Sequence, residues 1–360
     1  MTDRADPVTL PRPDDPNGPA AAKRAVSPGE QIARIIDGPR LALAAIQIGP
    51  GLMLVAVVIV VSSLSPVFLT PRNVGNVLSQ SAVIAVLALA QLLVIITRGI
   101  DLSVGSTLAL SAVVGAMVFA SVPSGPLVIV AMLATGTVVG TINGLVYVYG
   151  RLPHPFIVTL ATLSIARGLA LWLSGGQPLQ GMPQIVQDLG GGSLGWFPFS
   201  AFLVAGLALL GLLLTKRMVW GRWIYAVGGN PDGARRAAIP VRGVVVSVYV
   251  LSGLAAGIGA IITSGRLNGG SPTFGELAEL DTIAAVVIGG ASFLGGRGTI
   301  GNALIGALMI GVIRNGMNLL NVDAFLQPIV IGAVIVLAVE LDVVRGHLER
   351  RLRIMQAARS

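Results

Sequence analysis

The stretch Lys216–Arg242, KRMVWGRWIYAVGGNPDGARRAAIPVR, is a strongly basic segment between two long apolar ones. Asn230 is a favoured N-cap residue, Pro231 suits the first helical position because it has no N–H to satisfy, and Asp232 favours the positive end of the helix dipole. Pro240 restricts the residue before it, which predicts the end of the helix. The stretch therefore predicts a short, rigid helix of about nine residues outside a membrane, suited to docking a partner.

The rest of the chain is unusually apolar. Of its 360 residues, 54% are hydrophobic and 11% are charged, and the mean hydropathy is +0.84, unlike a soluble domain. The apolar runs long enough to cross a bilayer are 43–62, 74–97, 103–121, 126–149, 155–174, 199–215, 243–264, 280–292, 299–320 and 324–342. The sequence therefore predicts an all-α polytopic membrane protein with about ten transmembrane helices, or about eight without the weaker segments 103–121 and 280–292.

The distribution of charge predicts the orientation. The net charge is +8, from 24 Lys and Arg against 16 Asp and Glu. With a cytoplasmic N-terminus, most basic residues fall on the cytoplasmic side, only Arg72 and Arg266 fall outside, and Arg167 and Arg314 lie near span ends, where we expect them to snorkel to lipid headgroups. The loop 175–198, without Lys or Arg, should then be external. This bias predicts cytoplasmic N- and C-termini, and contacts with membrane lipid but not with nucleic acid.

The organisation of the chain follows from these spans. Residues 1–40, rich in Pro, Asp, Arg and Ala, predict a disordered cytoplasmic tail; residues 41–344 form the transmembrane domain; and residues 345–360 form a basic cytoplasmic tail. Segments 98–116 and 296–312 each lead from a polar, Gly-rich turn into a helix of small residues. This similarity leaves an internal duplication possible, although two Gly-rich membrane helices could also coincide by chance.

Several kinds of chemistry are poorly supported. Cysteine is absent, and His154 and His347 are too few and too separated for a metal site, so we expect no metal and no cofactor. The sequence contains no GxxxxGK[ST] phosphate loop, no GxSxG elbow and no HExxH pair. We therefore expect no catalytic residues, and we do not expect the chain to hydrolyse ATP or to be an enzyme.

Small residues recur at helical spacing on two predicted spans, which lets membrane helices approach closely. The favoured interpretation is tight packing inside one bundle, and the alternative is a seam between two copies. The two stripes are Gly136, Gly140 and Gly144, and Ser252, Ala256 and Ala260.

The turn GIDLSVGS (99–106) places Asp101, Ser103 and Ser106 between two apolar spans. One interpretation is structural: Asp101 or Ser103 caps the helix that begins there, accepting N–H groups that lipid cannot satisfy. The other is functional: the turn re-enters the bundle beside a translocation path. The two interpretations are compatible.

A second polar segment, GGSPTFGELAELDTIAAVVIGGASFLGGRG (269–298), carries Glu276, Glu279 and Asp281 ahead of a short apolar helix. The simpler interpretation is a solvated, external acidic loop in which Asp281 is the N-cap. The alternative is a docking face for an external partner, since a rim of charge can orient an encounter.

Three motifs together resemble the membrane permease subunits of ribose-type ABC sugar importers. They are GIDLSVGS (99–106), IYAVGGNPDGARRAAIPV (224–241) and ELDTIAAVVIGGASFLGGRGTIGNALIGALMIGVIRNGMNLL (279–320), and the resemblance covers about residues 45–342 in the same order. The departures are modest: FGELAEL at 274–280 and a longer N-terminal tail.

The resemblance implies the partners. Two permease copies would assemble in a bacterial inner membrane with an ABC ATPase, as one fused chain or two, and a periplasmic sugar-binding protein would deliver the sugar. The substrates of the family include ribose, other pentoses, hexoses, inositol and the autoinducer-2 signal. The loop Gly228–Pro240 matches the coupling helix that enters a cleft on the ATPase. The residues carried over to this role are Gly229, Asn230, Pro231, Asp232, Ala234, Arg235, Arg236, Ala237 and Ala238.

A second class of function stays open. An ion-coupled secondary carrier would fit Gly-broken helices and an internal duplication. Such carriers commonly need ionisable residues inside the membrane, yet the centres of the predicted spans are nearly free of Asp, Glu and His. The ATP-driven importer is therefore favoured, and a membrane enzyme is a distant third.

Overall fold

The structure, a computed structural model, describes residues 38–337, 340 and 354, with side chains from residue 49 onward. The chain divides into two compact units, Met1–Gln47 and Ile48–Ser360, and the contacts reported below lie within the second. The predicted cytoplasmic tails, 1–40 and 345–360, lie almost wholly outside the described residues.

The described chain is helical, with four strands of two residues each. The helices are α1 (Gly38–Leu64), α2 (Pro71–Ile96), α3 (Val104–Ser121), α4 (Gly125–Tyr149), α5 (Pro155–Ser174), α6 (Gln184–Gly191), α7 (Phe199–Lys216), α8 (Val219–Gly229), α9 (Pro231–Arg236), α10 (Val241–Leu267), α11 (Ala278–Ile288), α12 (Ile300–Leu319) and α13 (Gln327–Leu337). The strands form two antiparallel pairs, β1 (Leu179–Gln180) with β4 (Gly269–Gly270), and β2 (Ser193–Leu194) with β3 (Phe197–Pro198).

Seven of the described helices are long and apolar enough to cross a membrane: α2, α3, α4, α5, α7, α10 and α12. The polytopic all-α class is thus confirmed, whereas the predicted count of about ten spans is not. Each of the other three predicted spans coincides with a shorter apolar helix. These are the Gly49–Leu64 part of α1, α11 with 11 residues, and α13.

Helix α2 forms the centre of the bundle. In its most apolar window 83% of the residues are buried, against 17–22% for α4, α5 and α7. Beyond its polar first turns, α2 is largely apolar on all sides and packs against α7, α10, α11 and α12, as expected for an interior helix. The peripheral helices instead expose large apolar side chains such as Ile142, Trp172 and Leu209, which suits contact with lipid.

The glycine stripe of α4 packs against α10. A Cβ atom on Gly140 would overlap the carbonyl oxygen of Tyr249, and one on Gly136 would overlap that of Gly253. Gly253 in turn faces Gly136 and Gly140, so the two backbones are in direct contact. This seam confirms that the stripe serves packing within the bundle, since only glycine lets the two helices approach so closely.

The bundle has two ends, named here after the short helices that lie there. The α9 end carries α8, α9, the start of α10 and the end of α2. The α6 end carries α6, the β1–β4 pair and the end of α10, where Gly190 meets the backbone of Ile262. The long helices alternate in direction between these two ends as far as α10, and α12 again runs from the α9 end because α11 returns the chain between them.

The segment between α10 and α12 crosses the bundle with only a short helix. After β4, Gly270 lies against the backbone of Ala112, and Gly275 lies against Gly105 at the start of α3. Helix α11 then begins at Ala278, after Leu277, whose φ of +59° ends the preceding turn. Residues 271–277 therefore enter the bundle without regular structure, and α11 is a half-helix, shorter than the predicted span 280–292.

Candidate functional site

The start of α9 is built locally, as its sequence predicts. The Oδ1 atom of Asn230 accepts the N–H of Gly233 at 2.9 Å, and Pro231 occupies the first turn. Asp232 lies in the same turn and forms an ion pair with Arg235 at 3.1 Å. These contacts confirm the predicted N-cap and give a helix start that needs no support from distant residues.

The end of α9 differs from the prediction. The helix spans six residues rather than about nine, because Ala237 is already its C-cap and Ala238 adopts a left-handed φ of +58°. The helix thus ends at Arg236, four residues before Pro240, which instead precedes α10. The predicted stop at Pro240 is wrong because the backbone turns earlier, and Ile239 N–H bonds back to the carbonyl of Ala234.

Exposure divides the predicted coupling residues into two groups. Asp232, Arg235, Arg236, Ala237 and Ala238 are exposed. Ala234, in contrast, is 5% exposed and belongs to the main hydrophobic core of its own chain. The expectation that Ala234 offers contact area to a partner is therefore wrong. Its methyl group faces inward because one side of so short a helix must pack on the bundle.

The backbone directly before α9, Gly228 and Gly229, which we call the seat of α9, is held by residues far away in the sequence. The guanidinium of Arg98, just beyond α2, donates to the carbonyl oxygens of Gly228 at 2.6 Å and Gly229 at 2.7 Å. Gly296 N–H donates to Ile96 O at 2.8 Å, and no Cβ fits on Gly228 beside that same carbonyl. The sequence did not lead us to predict these contacts of Arg98. An arginine directly after an apolar span was the feature that could have indicated them.

The turn 97–103 holds a buried carboxylate. Asp101 is 1% exposed, and its Oδ1 accepts the N–H of Ser103 at 2.9 Å and the Ser103 hydroxyl at 2.7 Å. Its Oδ2 accepts the hydroxyl of Ser252, on α10, at 2.7 Å.

The network continues onto two further helices. Ser103 Oγ accepts from Asn143 of α4 at 2.8 Å, and Thr162 of α5 donates to the Asn143 amide oxygen at 2.6 Å. Ser106 is buried and donates to Ser103 O at 2.9 Å. Ser103 is the N-cap of α3 by position but makes no side-chain cap bond. Instead of the predicted cap, Asp101 forms an Asx turn with Ser103. The hydrogen bonds around this turn link α4, α5 and α10 to the start of α3.

This turn lies inside the bundle. Ser252 is eleven residues from the start of α10, so Asp101 lies about 16 Å along that helix, measured from the α9 end. Arg98, three residues earlier, is still at the α9 end, where it holds Gly228 and Gly229. The segment from Arg98 to Ser103 therefore leads from the seat of α9 into the bundle interior, which is the re-entry that the functional interpretation of the turn requires.

The acidic residues of the second polar segment lie in three different environments. Glu276 is exposed, Glu279 is half-buried beside Gly105, and Asp281 is 5% exposed. Asp281 Oδ2 accepts from Arg314 at 2.6 Å. The expectation of a solvated loop with Asp281 as the N-cap is therefore wrong: Leu277 holds that position, and the segment folds into the bundle.

Both membrane arginines have protein partners rather than lipid ones. Arg314 pairs with Asp281, and Arg167 donates to the carbonyl oxygens of Pro272 and Phe274. The expected snorkelling is wrong for both, because Arg167 bonds the non-helical segment 271–277 and Arg314 bonds the first turn of α11, both inside the bundle. Within the described residues, no group of three or more His, Asp or Glu side chains could hold a metal ion.

Comparisons with known proteins agree on one class. Residues 73–339 match the family described as branched-chain amino acid transport system / permease component. The chain is 44% identical over 299 residues to the ribose import permease protein RbsC of Bacillus subtilis, covering 82% of this chain and 92% of that protein. It is 39% identical to the ribose import permease protein RbsC of Escherichia coli K12 (80% and 91% covered) and 36% identical to its D-allose transport system permease protein AlsC (82% and 90%). No solved structure matches the chain significantly.

Proposed function

This chain belongs to the family of transport-system permease components, and we propose that it is the transmembrane subunit of an ATP-driven importer that moves a monosaccharide. The similarity to permeases named for ribose and D-allose import, extending over about nine-tenths of each, supports a monosaccharide as the solute. In this role the chain binds no nucleotide itself, and a partner ATPase supplies the energy.

Helix α9 is the element proposed to contact that ATPase. It projects an exposed acidic and basic surface from the α9 end, while Ala234 anchors it to the core. Arg98 fixes the backbone immediately before it through the carbonyl oxygens of Gly228 and Gly229. A helix with its own N-cap, whose preceding backbone is bonded to the bundle, can transmit movement of a docked partner to the bundle. A flexible loop could not. This arrangement is the single observation that most supports the coupling role.

The basic residues support an orientation with the α9 end in the cytoplasm and both termini on that side. In this orientation α1, α11 and α13 complete about ten crossings, the α11 crossing being made jointly by the half-helix and residues 271–277. The periplasmic binding protein would then approach the α6 end. Basic residues at the α9 end include Arg98, Arg151, Lys216, Arg217, Arg222, Arg235, Arg236 and Arg242.

The proposal includes a second copy of the chain. The peripheral helices α4, α5 and α7 expose apolar surface that lipid or a partner permease can cover. Two copies would also present two α9 helices to a pair of ATPase domains.

Affinity purification of the tagged chain from its membrane should retain an ATPase subunit and a sugar-binding protein. In vesicles that contain the assembled complex, uptake of D-ribose should require ATP and persist in the presence of an uncoupler. Uptake that survives full ATP depletion but collapses with the uncoupler would instead identify an ion-coupled carrier.

A further inference from the structure

A polar cavity of about 410 Å³ lies between α2, α11, α12 and α13, toward the α6 end. Its volume is within the range of about 300–1,000 Å³ that is typical of small-molecule sites. Its walls carry the side-chain amides of Asn76, Gln80, Asn318 and Gln327, and Ile84 is the apolar residue among those that line it. We name it the amide cavity. A polar cavity is unexpected beside α2 and α12, two helices that are long and apolar enough to cross a membrane.

The inner wall of the amide cavity contains an ion pair with unused bonding capacity. Asp281 and Arg314 bond through Oδ2 and Nη2, but Asp281 Oδ1 and Arg314 Nε, both buried, have no hydrogen-bond partner among the described residues. Asp281 is 95% buried, being 5% exposed. A buried acceptor and a buried donor without partners are costly, and a bound ligand that supplies hydroxyl groups would satisfy both.

The wall around this pair is rigid. Asn73 and Asn315, on α2 and α12, exchange two amide hydrogen bonds of 2.9 Å. Arg314 is adjacent to Asn315 and lies about 21 Å along α12 from the α9 end, and Asp281 is in the first turn of the half-helix α11. The amide cavity therefore opens toward the α6 end and reaches the start of a broken helix, where substrate sites of transporters commonly lie.

The charges that line the amide cavity cancel. Arg266 and Arg314 carry two positive charges, and Glu276 and Asp281 carry two negative ones. A solute with a net charge gains little from such a lining, and an apolar side chain would find only Ile84 to pack against. A neutral solute rich in hydroxyl groups, in contrast, can donate to the carboxylates and accept from the amides and guanidinium groups.

From these observations we infer that the amide cavity receives a neutral monosaccharide on its way through the membrane, with Asp281, Arg314 and Gln80 as its principal hydrogen-bonding groups. The inference rests on the proposed function and adds to it a location, a set of contacts and a preference for uncharged polyols.

One experiment measures binding directly. The chain has no cysteine, so Ser79→Cys places a unique thiol on the cavity wall, and Gln184→Cys places one on exposed α6 as a control. In the nanodisc complex, millimolar D-ribose should slow alkylation of the Ser79→Cys thiol but not of the Gln184→Cys thiol. L-leucine and D-ribose 5-phosphate should protect less. Adding Gln80→Leu to Ser79→Cys should weaken the protection by D-ribose about fivefold to tenfold, as expected for one lost hydrogen bond.

The second measurement is uptake in proteoliposomes with the binding protein. Gln80→Leu should lower ATP-dependent D-ribose uptake by a similar factor while the binding protein still docks. Absence of protection with normal uptake by Gln80→Leu would overturn the inference and leave the proposed function intact. If the binding protein or a second permease copy slowed alkylation of the Ser79→Cys thiol without D-ribose, the cavity would be a docking surface. That result would also overturn the inference. Protection by D-ribose without any ATP-dependent uptake would support the cavity and contradict the proposed function.

Discussion

At the scale of single residues, Asp101 has the most constrained side chain of the predicted sites. A carboxylate accepts but does not donate, and Asp101 receives one N–H and two hydroxyl donors from Ser103 and Ser252. These bonds hold the start of α3 against α10 inside the bundle. The geometry explains a structural need for the residue without requiring its charge.

We therefore expect Asp101→Asn to assemble and transport nearly like the wild type. Its amide oxygen can keep both bonds from Ser103, and its NH₂ group can donate to the Ser252 hydroxyl, which is also able to accept. Asp101→Leu should lower stability, because each donor left buried without an acceptor costs about 1–3 kcal/mol. The measurements are thermal unfolding in detergent and uptake per assembled complex. An Asn variant that assembles normally but transports poorly would assign the charge a role in the path or in gating.

At the scale of elements, α9 combines a buried residue, Ala234, with an exposed charged surface in six residues. Its first turn is fixed by its own sequence, through Asn230 and Pro231, and its placement is fixed by Arg98 and the glycines that precede it. Because one face is buried and the other exposed, substitutions on the two faces should have different consequences.

Ala234→Phe, within α9, and Ala237→Phe, at its C-cap, form a matched pair. Ala234 is buried in the permease core, so its enlargement should destabilise the permease alone by about 1–3 kcal/mol. Ala237 is exposed, so its enlargement should leave the isolated permease unchanged and reduce copurification of the ATPase or its stimulated hydrolysis. Thermal unfolding without the ATPase, followed by ATPase activity in nanodiscs, separates the two effects. If Ala237→Phe couples like the wild type, this face of α9 does not dock the ATPase.

The seam between α4 and α10 is the second element that can be tested. Gly140→Leu should destabilise the bundle by at least about 1–3 kcal/mol, because its side chain would have to displace the backbone of Tyr249. Gly168→Leu, on exposed α5 with nothing within 4 Å of a Cβ, is the control and should unfold at the wild-type temperature. Equal unfolding temperatures for both variants would contradict the assignment of the seam.

At the scale of the whole molecule, the two ends of the bundle differ in charge. The α9 end is strongly basic, whereas α6 and the strands around it contain no Lys or Arg. Trp196, 52% exposed beside β3, is suited to the membrane interface at the α6 end. The proposed orientation follows from this asymmetry.

Single cysteines at the two ends test this orientation. The exposed positions Gln184 and Ala237 lie at the α6 end and in the α9 loop, respectively. In intact spheroplasts, an impermeant thiol reagent should label Gln184→Cys at once and Ala237→Cys only after permeabilisation. The reverse pattern would mean that the α9 end is external. Labelling of both thiols without permeabilisation would place both positions outside the membrane and would contradict an odd number of crossings between them.

The possible internal duplication stays a prediction. The turns that begin the two similar segments, near residues 98 and 296, meet at the α9 end, where Gly296 N–H donates to Ile96 O. Their contact makes them a structural pair but does not establish a common origin.

The sequence by itself determined where the helices lie and how α9 begins. Apolar runs of the right length, the cap at Asn230 and the proline at 231 act within a few residues, so the printed chain contains all the information they need. The positions of the predicted spans and the class of protein followed from these local signals, and the motifs added the family.

The tertiary structure alone decided which polar groups meet. Arg98 bonds carbonyls 130 residues away, Asp101 bonds Ser252 at a separation of 151, and Asn73 bonds Asn315 at 242. Asp281 pairs with Arg314 instead of capping a helix, and Ala234 faces the core instead of a partner. The physical reason is that lipid offers polar groups no hydrogen bonds, so each must find a partner on another helix, and hydrophobic periodicity along the chain does not specify which helix that will be.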